Sequence, residues 1–153
     1  MSTIIKLKKQ YSVMVLLATH NGGMFLTEQL ESIYNQKCVC VSVFACDDSS
    51  SDNTCDILRE YEEKYNLVWC SGKFGSAQKN FYNLVDLAGD ADYYAFADQD
   101  DYWDDDKLYR AINELDKYED KPCLYYSVSR PADENLQPLN RRLYRHHKQI
   151  YIL

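Results

Sequence analysis

Apolar runs of strand length alternate with apolar stripes of helical spacing along most of this chain. Residues 13–18 form a β-rich run, and Leu26, Leu30 and Ile33 then fall on one face of a helix. The pattern repeats: residues 39–45 make a second strand, and Ile57, Leu58, Tyr61 and Tyr65 a second helix, with Asp52 placed as its N-cap. A short strand at 67–69 is followed by Gly72 and Gly75, after which Ala77, Phe81, Leu84, Val85 and Ala88 lie at helical spacing. Residues 93–97 give a fourth strand, Leu108, Ala111, Ile112 and Leu115 a fourth helix, and residues 123–126 a fifth strand. Strands separated by helices predict an α/β fold with a mostly parallel sheet covered on both faces. Beyond Ser127 the rhythm stops. Pro131 and Pro138 mark an extended loop, and Arg141, Arg142, Arg145, His146, His147 and Lys148 make a basic tail.

Length and composition narrow the class. A chain of 153 residues and 18.0 kDa, 46% hydrophobic and 27% charged, is sized for one core, which disfavours disordered, collagen-like and disulfide-miniature classes. The longest apolar runs are strand-sized. Residues 1–10 carry Lys6, Lys8 and Lys9 without the apolar stretch of a secretory leader, so a cytoplasmic chain without a membrane span is expected. The six cysteines form no CxxC pair and read as reduced, packed thiols, with Cys38 and Cys40 on one face of the second strand.

Charge matters more by region than in total. The net charge is −7, yet residues 86–106 hold nine aspartates and no lysine or arginine. A protein built to neutralise a phosphodiester backbone spreads basic residues over a face, so nucleic acid is excluded as the main partner. Concentrated acid suggests a cation instead.

Ligands of open parallel sheets bind beyond the carboxyl ends of the strands. The segments there are polar: Thr19, His20 and Asn21 after the first strand, Asp47, Asp48 and residues 49–52 after the second, Gly72, Lys73 and Gly75 after the third, and Asp98, Gln99, Asp100 and Asp101 after the fourth. Carboxylates converging at one edge repel unless a cation compensates them, and oxygen-only ligands favour magnesium or manganese. Plainer readings stand beside this. Asp104, Asp105 and Asp106 read as helix caps, as does Asp52. Asp47 and Asp48 serve either a turn or a ligand, and as exposed loop carboxylates they are expected to add little stability. Tyr102 and Trp103 either close the core or pack on a ring, and His20 has no evident partner.

Five ordered segments resemble family 2 glycosyltransferases, most closely the bacterial rhamnosyltransferase-like branch. They are Ala18-Thr19-His20-Asn21-Gly22, Glu28-Gln29-Leu30-Glu31-Ser32-Ile33 with Asn35-Gln36, Asp47-Asp48-Ser49-Ser50-Ser51-Asp52-Asn53-Thr54, Lys79-Asn80-Phe81, and Phe96-Ala97-Asp98-Gln99-Asp100-Asp101-Tyr102-Trp103. The resemblance covers roughly residues 11–140. It implies a GT-A fold, a nucleoside-diphosphate sugar donor of the UDP or dTDP type, and Mn2+ or Mg2+ held by Asp98 and Asp100 of the DxD. Thr19, His20, Asn21, Asp47 and Asp48 then resemble the positions at base and ribose, Lys79, Asn80 and Asp98 those at the diphosphate, and Asp100 with Asp101 those at the reacting sugar. The implied activity is metal-assisted inverting transfer of a hexosyl or deoxyhexosyl group to a cell-surface polysaccharide or lipid-linked acceptor. A non-catalytic nucleotide-sugar-binding module of the same fold is the alternative.

Two departures from the family pattern stand out: His20 replaces the usual Tyr, and Ser49 the usual Gly, which is tolerable where that position avoids positive φ. The expected organisation is a basic extension at 1–10, a donor domain at 11–128, and a loop with basic tail at 129–153 that begins an incomplete acceptor half. No general base is identified, and Asp133 and Glu134 are poor candidates. An uncovered surface would favour self-association, and the basic tail could touch anionic lipid at the inner face of the membrane, an ordinary solvated tail being the plainer reading. Other aspartate motifs fit less well. A haloacid-dehalogenase-type phosphoryl-transfer site wants Thr or Val at Tyr102, a receiver domain needs two further βα steps between Asp98 and Lys121-Pro122, and a calcium loop from Asp98 would need Gly at Trp103.

Overall fold

The computed structural model describes residues 10–118, 121–133, 136–139 and the backbone of 151–152. They divide into two compact units, Met1–Tyr109 and Arg110–Leu153. The basic extension at 1–9, the basic residues 141–148 and Glu134 lie outside the described residues.

The first unit is a four-stranded, wholly parallel sheet of β1 (Ser12–Thr19), β2 (Cys40–Asp48), β3 (Val68–Gly72) and β4 (Tyr93–Ala97), in the order β3-β2-β1-β4. Its helices are α1 (Leu26–Tyr34), α2 (Thr54–Tyr65) and α3 (Ala77–Leu87), and α4 (Lys107–Leu115) starts at its end. The chain steps outward from β1 to β3 through α1 and α2, then crosses back through α3 to the other side of β1. Right-handed crossovers therefore put α1 and α2 on one face and α3 on the other. Side-chain alternation agrees: Leu16, Ala18 and Cys46 pack with Leu84 of α3, while Val13, Val15 and Leu17, also buried, point to the opposite face. Central β1 is thus covered on both sides, which is why it reads as an unbroken apolar run. This arrangement is the expected α/β fold with helices on both faces.

Boundaries differ in instructive ways. Strand β2 runs on to Asp48 because its backbone stays paired with β1 and β3 through Thr19↔Asp47 and Asp48↔Gly72. At its start, Cys38 has φ +64° and precedes the strand, so Cys38 and Cys40 do not share a strand face, and both are exposed. Helix α2 starts after Asn53, with Asp52 acting one position earlier: its Oδ1 accepts from the Thr54 N–H at 3.0 Å and the Thr54 hydroxyl at 2.5 Å. Helix α2 ends at Asn66, in the left-handed conformation (φ +55°) that asparagine tolerates at a helix end.

In the second unit the fifth strand is shorter than expected. Here β5 (Cys123–Leu124) pairs antiparallel with β6 (Tyr151–Ile152), a partner the apolar pattern did not reveal. No helix among the described residues is long and apolar enough to cross a membrane.

Candidate functional site

The carboxyl ends of the four strands share one edge, and the in-register pairs Thr19↔Asp47, Asp48↔Gly72 and Leu17↔Ala97 bring the polar segments after them together. Thr19, Asp47 and Asp48 sit on the strands themselves, whereas His20, Asn21 and residues 98–101 lie in the loops beyond.

The loops after β1 and β2 are knitted to each other. The Asn21 N–H donates to Ser50 Oγ at 2.8 Å, Asn21 Oδ1 accepts from the Ser51 N–H at 2.8 Å, and the N–H groups of Gly22 and Gly23 donate to Thr54 Oγ1 and Asp52 Oδ2, each at 2.9 Å. His20, without a partner in the sequence reading, gains one: its Nδ1 lies 2.6 Å from the Asp48 carbonyl. A third loop joins through Gln99, the middle residue of the DxD. Its Oε1 accepts from the His20 N–H at 2.6 Å and its Nε2 donates to the His20 carbonyl at 2.9 Å, so one side-chain amide mimics a strand partner. A Cβ on Gly22 would lie 2.4 Å from Gln99 Oε1. The sequence places Gln99 among the polar residues after the fourth strand, but nothing local singles out its bond to a residue 79 positions away.

Asp47 and Asp48 correct the expectation of exposed loop carboxylates: they are only 1% and 9% exposed. Asp47 accepts from Thr19 Oγ1 at 3.0 Å, from the Ser50 N–H at 2.9 Å and from Ser50 Oγ at 2.5 Å. Asp48 accepts from the N–H groups of Phe74 and Gly75 at 2.5 and 2.8 Å. The Phe74 bond is the main cause of an Asp48 carboxyl held below the usual range, with the Gly75 bond and the charges of His20 and Lys79 adding to it against desolvation. Both carboxylates are therefore structural as well as candidate ligands. Ser49 has φ +58°, so the condition under which it could replace glycine without strain is not met. Its hydroxyl donates to the Gly72 carbonyl at 2.7 Å and offsets part of that cost.

Lys79 and Asn80 belong to the first turn of α3, whose N-cap is Ser76. Asn80 is 1% exposed, its amide donates to the Cys46 carbonyl at 2.8 Å, and its Oδ1 is buried without a hydrogen-bond partner. Lys79 is exposed and acts on the site through its charge.

Asp98, Asp100 and Asp101 are solvent-exposed at the end of β4. The Asp98 carboxyl is pushed up, first by loss of hydration and then by the charges of Asp101 and Asp100. Asp101 is likewise raised by desolvation, opposed by Lys107 and reinforced by Asp100. Among the described residues no three His, Cys, Asp or Glu side chains converge as a ready-made metal centre. Mutually repelling oxygen donors, too few to close a shell, fit a hard divalent cation completed by phosphate oxygens and water.

The neighbouring aromatics divide: Trp103 is 3% exposed, with its backbone N–H donating to Ser32 Oγ at 3.1 Å, and closes the core, while Tyr102 is 56% exposed. The three aspartates before α4 are not what caps its Leu108 N–H. That group donates to Gln36 Oε1 at 2.9 Å, while the Asp105 carboxylate pairs with Lys37.

The sequence pattern of glycosyl transferase family 2 matches residues 14–152. The chain belongs to that family. Among relatives, dTDP-rhamnosyl transferase RfbG of Shigella flexneri is 42% identical over 126 residues, covering 74% of this chain and 43% of that protein. S. aureus TarS 1-349, solved in complex with UDP, matches with TM-score 0.67 and 25% identity over 77% of this chain and 36% of that one. A mannosyltransferase of Pyrobaculum calidifontis, solved with GDP-Man and Mn2+, shares the fold with TM-score 0.63 and 21% identity, over 79% of this chain and 36% of its own. The chain thus spans less than half the length of these family 2 and structural relatives.

Proposed function

We propose that this chain forms the donor-binding part of a glycosyltransferase that transfers a hexosyl or deoxyhexosyl group from a UDP- or dTDP-sugar to a glycan or lipid-linked acceptor at the cytoplasmic face of a membrane. The observation that carries this reading is the junction of three strand-end loops, in which Gln99 ties the acidic loop to His20 while His20 touches Asp48. Base and ribose would lie over Thr19, His20, Asn21, Asp47 and Asp48, where carbonyls and carboxylates can accept the N–H and hydroxyl protons of a uracil or thymine nucleoside. Lys79 and Asn80 would flank the diphosphate, with Lys79 supplying positive charge.

Asp98 and Asp100 would hold Mn2+ or Mg2+, which when bound supplies charge stabilisation to the departing diphosphate. Asp101 and Asp100 would orient the sugar, leaving one face of its reacting carbon open to an acceptor hydroxyl in an inverting displacement. No residue here is assigned as the base that takes the acceptor proton. Asp133 Oδ1 accepts from the Gln137 N–H at 2.9 Å within its own turn.

A thermal-shift series tests the proposal. With Mn2+ present, UDP and dTDP should raise the melting temperature and the matching nucleoside monophosphates should raise it less, because tighter native-state binding stabilises more. Equal shifts, or none, would overturn it.

A further inference from the structure

Cys46 and Cys70 are not used by the proposed function. They occupy paired positions on neighbouring parallel strands, both on the sheet face that packs against α3, and their sulfurs lie 2.9 Å apart. Asn83 on α3 directs its Nδ2 toward both, at 3.5 and 3.9 Å. Neighbouring strands lie about 4.8 Å apart, inside the Cα separations that disulfides span. From the geometry we infer that Cys46 and Cys70 are a modification site, closing reversibly to a disulfide when the protein meets a peroxide.

The two sulfurs have different roles. Cys70 is half-buried and Cys46 fully buried, so peroxide reaches Cys70 first. The Cys70 thiolate attacks one oxygen of hydrogen peroxide, the O–O bond breaks, and a sulfenic acid and hydroxide result. Burial, then the contact with Cys70, pushes the Cys46 thiol up to about 12, which keeps it a thiol until its neighbour is oxidised. Its sulfur then attacks the Cys70 sulfur, the S–S bond forms as the S–O bond breaks, and the departing hydroxide leaves as water with the Cys46 proton. Two thiols and one peroxide become one disulfide and two waters, the sulfurs losing the two electrons that the peroxide gains. A dithiol reductant reverses the change. The bridge would close a loop between residues 24 apart that contains Asp47, Asp48 and α2. The other four cysteines show no such arrangement: Cys38 and Cys40 are exposed ahead of or at the start of β2, Cys55 lies against the Asp47 carboxylate at 3.5 Å, and Cys123 faces the Tyr118 carbonyl at 4.0 Å.

The test is peptide mapping of the wild-type chain after hydrogen peroxide, with free thiols alkylated before digestion. The expected product is a linked pair of peptides carrying Cys46 and Cys70, two hydrogens lighter than their sum and separated again by dithiothreitol. The oxidised chain should melt higher by about 5–10 °C, and Cys46→Ser should leave Cys70 trappable by dimedone as a sulfenic acid. Should that variant not fold, Cys70→Ser provides the second arm and should show no oxidative rise in melting temperature. Cys46 remaining alkylatable after Cys70 is oxidised, or bridges forming chiefly through Cys38 or Cys40, would overturn the assignment.

Discussion

Ser49 shows what a single residue contributes at this edge. Its left-handed backbone costs a non-glycine residue about 1 kcal/mol, and its bond to the Gly72 carbonyl returns a similar amount. Ser49→Gly should therefore change stability little, whereas Ser49→Ala, which keeps the strain and loses the bond, should destabilise by about 1 kcal/mol in urea denaturation. Asp47 is a stronger case. Removing its carboxylate takes the acceptor from the Ser50 N–H and leaves the buried Thr19 hydroxyl only its long bond of 3.4 Å to the Cys46 carbonyl, so Asp47→Ala should cost about 1–3 kcal/mol in the same measurement. Asp52 predicts a pH effect. Its carboxyl is held below the usual range, chiefly by the Thr54 hydroxyl and further by the N–H groups of Gly23 and Thr54. The stability it supplies is present above the unfolded value, near pH 4, and is lost as pH falls through the lower folded value, so Asp52→Asn should flatten the acid limb of a melting-temperature profile. That the chain turns at residues 49–53 was legible from the acids and hydroxyls clustered after a strand. The positive φ at Ser49 was not, because it follows from how the turn meets Gly72 in space.

At the scale of elements, periodicity located α1, α2 and α3 and all four strands, although the buried runs lie mainly on β1 and β2: no residue of β3 is buried, and on β4 only Ala97 is. It failed at joints made by long-range amides. Gln36, after α1, donates to the carbonyls of Ser32 and Asp104 at 3.2 and 2.7 Å and accepts from the Leu108 N–H, joining two elements that sequence separates by about 70 residues. Aspartates ahead of a helix read locally as its caps, yet the Leu108 N–H is taken by a buried glutamine from the segment after α1. Gln36→Ala should cost about 1–3 kcal/mol through the unsatisfied groups it leaves, measurable by chemical denaturation. The second unit was less legible, since strands of two residues carry no alternation to read.

For the whole molecule, the acidic window at 86–106 and the parallel sheet order are parts of one arrangement. The strand order puts β4 beside β1, so the aspartates after β4 come alongside the loop that touches Asp48. The composition showed the concentration of acid, and the order of the motifs showed where it would lie. What neither contained was the amide of Gln99 that holds the loops in register. The central claim is that these loops act together on a nucleoside diphosphate and a divalent cation. Isothermal titration of UDP into the wild-type chain and into Asp100→Ala, each with Mn2+ and with EDTA, tests it most directly. The account predicts that Mn2+ strengthens binding to the wild type at least tenfold and that the substitution removes most of this gain while binding in EDTA changes little; equal affinities in all four titrations would contradict it.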